Sequence, residues 1–599
     1  MMADLQRAVT LLQSGQPAEA EQLLTTILAS HPHQADALHL RGMARGNMGQ
    51  FEAGEADLME ASKNHPQRHA VLNNLGNLRL RSGDAESAAA AYRSAIEVRP
   101  DFADARLNLG LALDRAGQAN DAIEVLEALI ARHPGHVMAH NALGNARLAI
   151  DDEAGALEAF DQALRLEPAA HLVRVNRGAL LRGMGRAEAS LADLDEACRQ
   201  QPGFAEAQFQ RGHTLRTLNR PQDAREAYLA AMRAAPTRAD IHKDLAGLLW
   251  ESGAGDGATA YLEEALEAHP DPELAYVLAR VRMRTGQVDR GRIAADRAVN
   301  LDAGHARARA LRGELRGLSG DRAGALEDIE AAFEASGRSD FEIRHQLVEA
   351  CLATSRFEQA LSLLQSEPPK PHLQKHVALK SLAWRAMDDV RYRYFYDYDR
   401  MTAKIRIETP PGFDSLDAFN AELADRLERL HATEAQPLEQ TLFGGTQSPG
   451  RLWDTDDPVI GALGDALLKA ASQFVAGLPD DPVHPFLRRK SADLELTGAW
   501  SVRLRSGGGH VDHIHPAGWI SASYYVCVPQ SVRDGERAGW LRLGASGVAG
   551  LELPAERYIC PEPGHAIFFP SYMWHGVEPF ESDEVRVTAP FDLVPAETR

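Results

Sequence analysis

The sequence predicts a multidomain α + β protein: an N-terminal α-solenoid of helix hairpins, followed by a C-terminal jelly-roll domain with supporting helices. Three observations predict it. Prolines recur every 34 residues through the first 270 positions, a proline-rich stretch "SEPPKPH" (366–372) ends the regularity, and from about Leu494 the apolar period changes from helical to strand-like. The expected divisions are 1–366 for the repeat superhelix, 367–372 for the boundary, 373–490 for helical and loop support, and 491–599 for the β core. A chain of 599 residues is too long for one ordinary core, so several domains or an extended array are required.

The repeat is read from positions 32, 66, 100, 134, 168, 202, 236 and 270, all proline, with glycines in the same step at Gly42, Gly76, Gly110, Gly144, Gly178 and Gly212. In the unit 69–100, Leu72, Leu75 and Leu78 share one helical face and Ala88, Tyr92 and Ala95 another, with Ser82-Gly83-Asp84 breaking between them. Gly76 and Ala88 are small where the two helices must approach, and Pro100 ends the second helix. Such a hairpin buries its apolar face only by stacking on its neighbours.

Residues Leu72, Leu75, Gly76, Ala88, Tyr92, Ala95 and Pro100 resemble the tetratricopeptide repeat position by position, over roughly residues 3–366. Arg79 departs from the large apolar residue of that pattern, and Gly304 replaces the next expected proline after Pro270. The resemblance implies a groove for proteins or peptides. Asn74, Asn108 and Asn176 hold one place in their units, interrupted by Ala142, and resemble an asparagine ladder that grips peptide backbones. The alternative is that these amides tie adjacent helices together. The histidines of His31-Pro32, His65-Pro66, His133-Pro134 and His269-Pro270 each lie at a repeat junction, 34 or more residues from the next, and read as helix-end residues.

Beyond the boundary, "VALKSLAWRAMDD" and "SLDAFNAELADRLERLHA" (415–432) read as helices, and "RYRYFYDYDR" (391–400) reads as a buried aromatic rib rather than a base-stacking strip, because Asp397 and Asp399 cancel much of its charge. "FGGTQSPG" (443–450) and "LWDTDDP" (452–458) read as loops. Then "LTGAWSVRLRS", "ISASYYVCVP", "GWLRLG", "RYICPEPGHAIFFPS" and "EVRVTAPFDLVP" alternate as short strands divided by glycine and proline, the spacing of a sandwich or jelly roll.

The chemistry concentrates in "GGGHVDHIHPAGWISASYYV" (507–526). Ligands at i and i+2 of a strand point the same way, so the cluster offers two pairs on opposite faces: His510 with Asp512, and His513 with His515. Gly507-Gly508-Gly509 places His510 on a mobile approach. A distant histidine, His575, and an arginine, Arg586, follow downstream.

In the order "HIHP" (513–516), "SASYYV" (521–526), "PSYMWH" (570–575) and "RVT" (586–588), the C-terminal region resembles the 2-oxoglutarate- and Fe(II)-dependent oxygenases of double-stranded β-helix fold, over about residues 495–595. That resemblance implies His513, His515 and His575 as iron ligands, with His510 and Asp512 as the fallback pair and Asp512 otherwise orienting an imidazole. It implies Arg586 and Thr588 as the clamp for 2-oxoglutarate, with Tyr524 or Tyr525 completing that pocket. Cosubstrates would be 2-oxoglutarate and O2. The expected activity is hydroxylation of a peptide or protein recruited by the repeats. The rivals are a three-histidine, cupin-type dioxygenase that does not use 2-oxoglutarate, and a non-catalytic tetratricopeptide adaptor whose jelly roll binds a ligand. Cys527, Cys560, Trp574 and Phe580 read as packing or pocket wall.

The whole-chain balance of 64 basic and 85 acidic residues, a net charge near −21, argues against nucleic acid or an anionic membrane as partner. Four cysteines without a CxxC pair indicate neither a disulfide framework nor a thiolate site. The N-terminus lacks a signal-like apolar run and no later segment reads as long enough to span a bilayer, so a cytoplasmic location is expected.

Overall fold

Hairpins of two helices build the first two-thirds of the chain in the computed structural model, which describes residues 1–438, 440–454 and 456–596. Each hairpin is closed by small residues facing large ones. A Cβ at Gly76 would lie 2.4 Å from the Tyr92 ring, and one at Gly144 equally close to Phe160, so the paired helices Arg68–Arg81 and Ala85–Val98 approach as only glycine allows. Between them Gly83 takes φ +91° and Asp84 caps the second helix by accepting from Ser87 N at 2.9 Å. Ala88, Tyr92 and Ala95 are fully buried. Arg79 is not a defect in the pattern: its guanidinium forks onto Glu55 Oε1 (2.9 and 2.6 Å) and donates to Ser87 O at 3.1 Å, so charge pairing replaces apolar packing there.

The chain divides into two compact units, Met1–Pro202 and Gly203–Arg599. The division falls inside the array because the later hairpins share their core with the C-terminal domain. Phe333, Leu347 and Trp384 belong to one buried cluster with Phe419, Phe474, Trp519, Phe568 and Phe591. The weaker units after Pro270 still form hairpins, Pro272–Arg284 with Val288–Leu301 and Ala306–Leu318 with Arg322–Ala335.

The β core contains β1 (Ala403–Arg406), β2 (Leu442–Gln447), β3 (Leu494–Ala499), β4 (Val502–His513), β5 (Ile520–Cys527), β6 (Leu541–Leu543), β7 (Arg557–Ile559), β8 (His565–Pro570), β9 (His575–Val577) and β10 (Arg586–Pro595). They form one antiparallel sheet in the order β1-β8-β5-β10-β4-β9-β6-β7, with β2 added on β4 and β3 on β10. β10 is the hub, pairing with β3, β4 and β5.

Three expectations need correction. "FGGTQSPG" is not a loop throughout: Leu442–Gln447 is strand β2, because Gly444 and Gly445 have no side chains to oppose the backbone of β4, with Gly508 Cα 2.7 Å from where a Gly444 Cβ would lie. Nor is Gly507-Gly508-Gly509 a mobile approach, since all three lie within β4. The 20-residue helix Pro458–Gly477 is long and apolar enough to cross a membrane by length and composition, although no such segment was expected. Its apolar face is spent on the sheet instead, where Val459, Leu463, Leu467 and Ala471 are buried and Phe474 stacks on Phe568 at 5.3 Å. "LWDTDDP" forms a short 3-10 turn at Leu452–Asp454 and then starts this helix, and its Thr455 lies outside the described residues.

Of the aromatic rib, Tyr392, Tyr396 and Tyr398 are buried as expected, whereas Tyr394 is exposed. Tyr392 and Tyr398 both donate to Glu556, and Tyr396 donates to Tyr572 O at 3.2 Å. A second link runs from repeat to site. Trp250 Nε1 donates to Gln436 O at 3.0 Å, Glu434 N and Ala435 N donate to Glu251 O, and Leu438 is buried among Ala246, Leu274 and Leu278 of the repeats. From there the same segment runs on into β2 at Leu442.

Half-buried His431 bridges Thr446 Oγ1 (2.8 Å) and Ser501 Oγ (2.9 Å), tying β2 to the turn before β4. Burial, reinforced by Arg503 and Arg505, pushes its pKa down to about 4. Below pH 6.5 the unfolded chain takes up this proton while folded His431 stays neutral to about pH 4, so stability falls as pH is lowered through that window. His431→Gln is expected to remove up to about 3 kcal/mol of that pH dependence, read as a flatter dependence of urea midpoint on pH. Gly76→Ala is expected to destabilise the first unit by about 1–3 kcal/mol, despite the better helix propensity of alanine, because buried Tyr92 has nowhere to move; chemical denaturation checks it.

Candidate metal centre

β4 and β9 pair so that His513 lies opposite His575, and His515 follows as β4 ends. The chain turn at His515 is itself fixed, since its N–H donates to Ser571 O at 3.0 Å. One nitrogen from each of the three rings falls within 4.8 Å of the others. The ring centroids of His513 and His575 are 4.2 Å apart and those of His515 and His575 are 5.0 Å apart.

The partners of these rings determine their tautomers. His513 Nδ1 meets Val511 O at 2.8 Å, His575 Nδ1 meets Met573 O at 2.9 Å, and His515 Nδ1 meets the Asp592 carboxylate at 2.7 Å. Oxygens of these kinds only accept, so each Nδ1 carries its proton, and Nε2 is the atom each ring offers inward. Nε2 of His513 and Nε2 of His515 are 3.2 Å apart, the separation of two nitrogens that share a proton or bind one metal. Metal–nitrogen bonds of ~2.1 Å put neighbouring ligands about 3 Å apart, so the spacing fits a metal held between the rings. The donor set fits a borderline divalent metal such as iron.

Electrostatics agree with ligand-ready rings. Burial, aided by His515, pushes His513 down to about 3, and burial with the neighbouring rings holds His575 and His510 well below the usual histidine range. Burial also acts against protonated His515, but Asp592 more than offsets it and raises that ring.

The two proposed pairs do not lie on opposite faces. The β4 register shifts between His510 and His513, so His510 lines the same cavity as the three histidines while Asp512 points away. Asp512 receives a two-pronged hydrogen bond from Arg542, Nε and Nη2 each at 2.8 Å, and Arg542 also pairs with Glu578 at 3.0 Å. His510 instead has Nδ1 at 3.4 Å from Thr441 Oγ1. A β-bulge has separated a pair whose spacing suggested a common face.

The cavity is about 310 Å³. Arg586 and Thr588, two apart on β10, both line it, as their spacing predicted. Arg586 is 2% exposed, and its Nε and Nη1 have no hydrogen-bond partner among the described residues. Burial lowers its pKa. A buried cation with idle donors is costly unless an anion joins it. Of the two tyrosines, Tyr525 lies in the cavity with its ring centroid 5.2 Å from the Arg586 guanidinium carbon and its hydroxyl unpartnered. Tyr524 faces the other side of β5 and donates to Asn420 Oδ1 at 2.6 Å. Asp592, Gln440, Thr441, Gln447 and Trp500 also line the cavity. The carboxylate of Asp592 was not singled out in the sequence; its signal is the alternation Arg586, Thr588, Pro590, Asp592 along one face of β10.

Asn74, Asn108 and Asn176 lie in the first unit, each tied to a neighbouring repeat. Asn108 Nδ2 donates to Asn73 Oδ1 at 3.0 Å, Asn176 Nδ2 donates to Asn141 Oδ1 at 2.9 Å, and Asn74 Nδ2 meets His39 Nε2 at 2.8 Å. Trp574 and Phe580 are buried packing residues.

A curled antiparallel sheet with three converging imidazoles and a buried arginine with idle donors defines a class, a β domain with a candidate metal and anion site. The comparisons give that class a family. Residues 498–592 match the family "Putative 2OG-Fe(II) oxygenase". Tetratricopeptide-repeat families match at 5–45, 39–97, 73–136, 107–171 and 175–239, and again at 215–281 and 249–315. The chain thus carries tetratricopeptide repeats across its N-terminal region and a domain of that oxygenase family at its C-terminus. That family implies Fe(II), 2-oxoglutarate and O2.

No curated protein matches the chain. Similar solved structures include TTC0263, a thermophilic TPR protein of Thermus thermophilus (21% identity, 30% of this chain and 99% of that one, TM-score 0.29). Another is yeast Tom70 (14% identity, 66% and 97%, TM-score 0.40). A third is MamA from Desulfovibrio magneticus (19% identity, 28% and 96%, TM-score 0.26).

Asp512→Ala is expected to cost about 3 kcal/mol in stability, by leaving Arg542 partly buried without its main partner, while divalent-metal affinity stays unchanged. His513→Ala is expected to lose the metal. Urea unfolding and metal analysis of both variants check this, and metal loss in Asp512→Ala alone would reverse the assignment.

Proposed function

We propose that the C-terminal domain is a 2-oxoglutarate- and Fe(II)-dependent hydroxylase whose substrate is a peptide or protein engaged by the repeats. The observation that carries the reading is the convergence of Nε2 of His513 and His515 at 3.2 Å, completed by His575 and set in one cavity with Arg586, whose Nε and Nη1 have no partner among the described residues.

In this reading His513, His515 and His575 hold iron through Nε2. Bound iron supplies the oxidation of an unactivated C–H bond, coupled to conversion of 2-oxoglutarate and O2 into succinate and carbon dioxide. The chain's own residues do the rest. Arg586 offers its planar fork to the distal carboxylate of 2-oxoglutarate, Thr588 donates its hydroxyl to the same group, and Tyr525 donates from the other side. Leu504, Leu541, Phe569 and Val577 line the cavity and exclude water, which strengthens each of these charged contacts. Gln440, Thr441, Gln447 and Trp500 offer polar and aromatic contacts to a substrate side chain. A polypeptide substrate is favoured because the segment that supplies Gln440 and Thr441 is anchored on the repeats at Trp250 and Glu251.

Anaerobic protein given Fe(II) and then 2-oxoglutarate is expected to develop a visible metal-to-ligand charge-transfer band, and admission of O2 should yield succinate. His575→Ala should abolish both. Arg586→Ala should keep iron while raising the 2-oxoglutarate requirement about 30-fold or more, the equivalent of ~2 kcal/mol for losing a buried charge pair. Iron binding without the band would favour a dioxygenase that does not use 2-oxoglutarate; no iron binding would leave a repeat adaptor.

A further inference from the structure

We propose that Asp592 is the positioning carboxylate of this metal centre, fixing the tautomer and ring plane of His515 and supplying negative charge that three neutral imidazoles lack. The inference rests on the metal-centre reading above and assigns a role to a residue outside the histidine set.

The three histidines are not equivalent. His513 and His575 each donate Nδ1–H to a main-chain carbonyl, whereas His515 alone donates to a carboxylate, Asp592 Oδ1 at 2.7 Å. That carboxylate is itself held. Ser521 Oγ lies 2.7 Å from the same oxygen and 2.9 Å from Ser571 Oγ. Since the carboxylate only accepts, Ser521 donates to Asp592 and Ser571 donates to Ser521. Both hydroxyls are fully buried. Ser571 also accepts the His515 N–H at its carbonyl, so one small network fixes the ring and the backbone of the same ligand.

The fold makes room for this arrangement. Asp592 keeps the alternation of β10 and sits opposite the irregularity in β3, where the register shifts between Asp592 and Leu593. Gly518 leaves space for it: a Cβ there would lie 2.4 Å from Ser571 Oγ and 3.1 Å from Asp592 Oδ1. Among the described residues no lysine or arginine pairs with Asp592, and His515 is its ion-pair partner. The partner that supports a carboxylate only 7% exposed at this place is therefore a member of the histidine cluster itself. Where a carboxylate binds the metal directly, its charge offsets that of the cation; here the three ligands are neutral and the nearest negative charge reaches the site through an imidazole.

The test uses the full-length protein under anaerobic conditions, with Fe(II) titrations for affinity and the Co(II)-loaded form for its ligand-field spectrum. Asp592→Asn keeps an oxygen that can accept from His515 but removes the charge; it should weaken Fe(II) binding about 10-fold and shift the Co(II) bands. Asp592→Ala removes both and should weaken binding by about 100-fold, the upper range for such partners. Ser521→Ala, which loosens the carboxylate without touching charge, should give a smaller loss and serves if Asp592→Ala fails to fold. Wild-type affinity and spectrum in Asp592→Asn would overturn the charge role. A parent protein that binds no divalent metal would overturn the metal-centre reading itself, whereas a metal-binding parent with unaffected Asp592 and Ser521 variants would overturn this inference alone.

Discussion

Two imidazole nitrogens that face each other at 3.2 Å, with every Nδ1 committed elsewhere, set the requirement that the C-terminal domain is built to meet. Nitrogens at that distance share a proton or a metal, so the domain must hold the rings in register for one or the other. It does so through main-chain carbonyls, one carboxylate and the β4–β9 pairing that sets His513 opposite His575. β10 is central because it carries both ends of the site. Arg586 and Thr588 stand at one end and Asp592 at the other, on one face of a strand paired on both sides.

A site of this kind needs rigid support, and the sheet draws it from the helices on its outer side. Tyr524 bonds to Asn420 and Phe474 stacks on Phe568, so the outer face of the sheet is fixed by side chains of the helices Leu416–Glu428 and Pro458–Gly477. The later repeats continue the same core. Where Leu438 enters the repeats and Thr441 enters the cavity, only a few residues separate a repeat contact from a cavity contact. Repeat and site in Gly203–Arg599 are therefore one packed body rather than two domains on a flexible tether.

The hairpins were legible in the sequence because repeat packing is local: Gly76 and Tyr92 are 16 residues apart, and the 34-residue period repeats the same contact. The strands were largely legible from their period of two. β2 was not, because its glycines read as a loop while their function is to let another backbone approach. The helix Pro458–Gly477 was missed because its burial depends on the sheet against which it lies. Arg586, Thr588 and the three clustered histidines were readable as a set, since their order and spacing resemble a known arrangement.

Sequence alone determined the hairpin array, the change of period near Leu494, and the group of residues able to hold a metal and an anion. Tertiary structure decided how those residues divide. A one-residue register shift in β4 turned His510 into the cavity and Asp512 onto Arg542, against the simple alternation of a strand. The facing of β5 selected Tyr525 over Tyr524, and the position of β10 brought Asp592 to His515 across 77 residues. The physical reason is that spacing along one strand fixes which side chains alternate, whereas bulges and pairing with other strands fix the face on which the alternation begins.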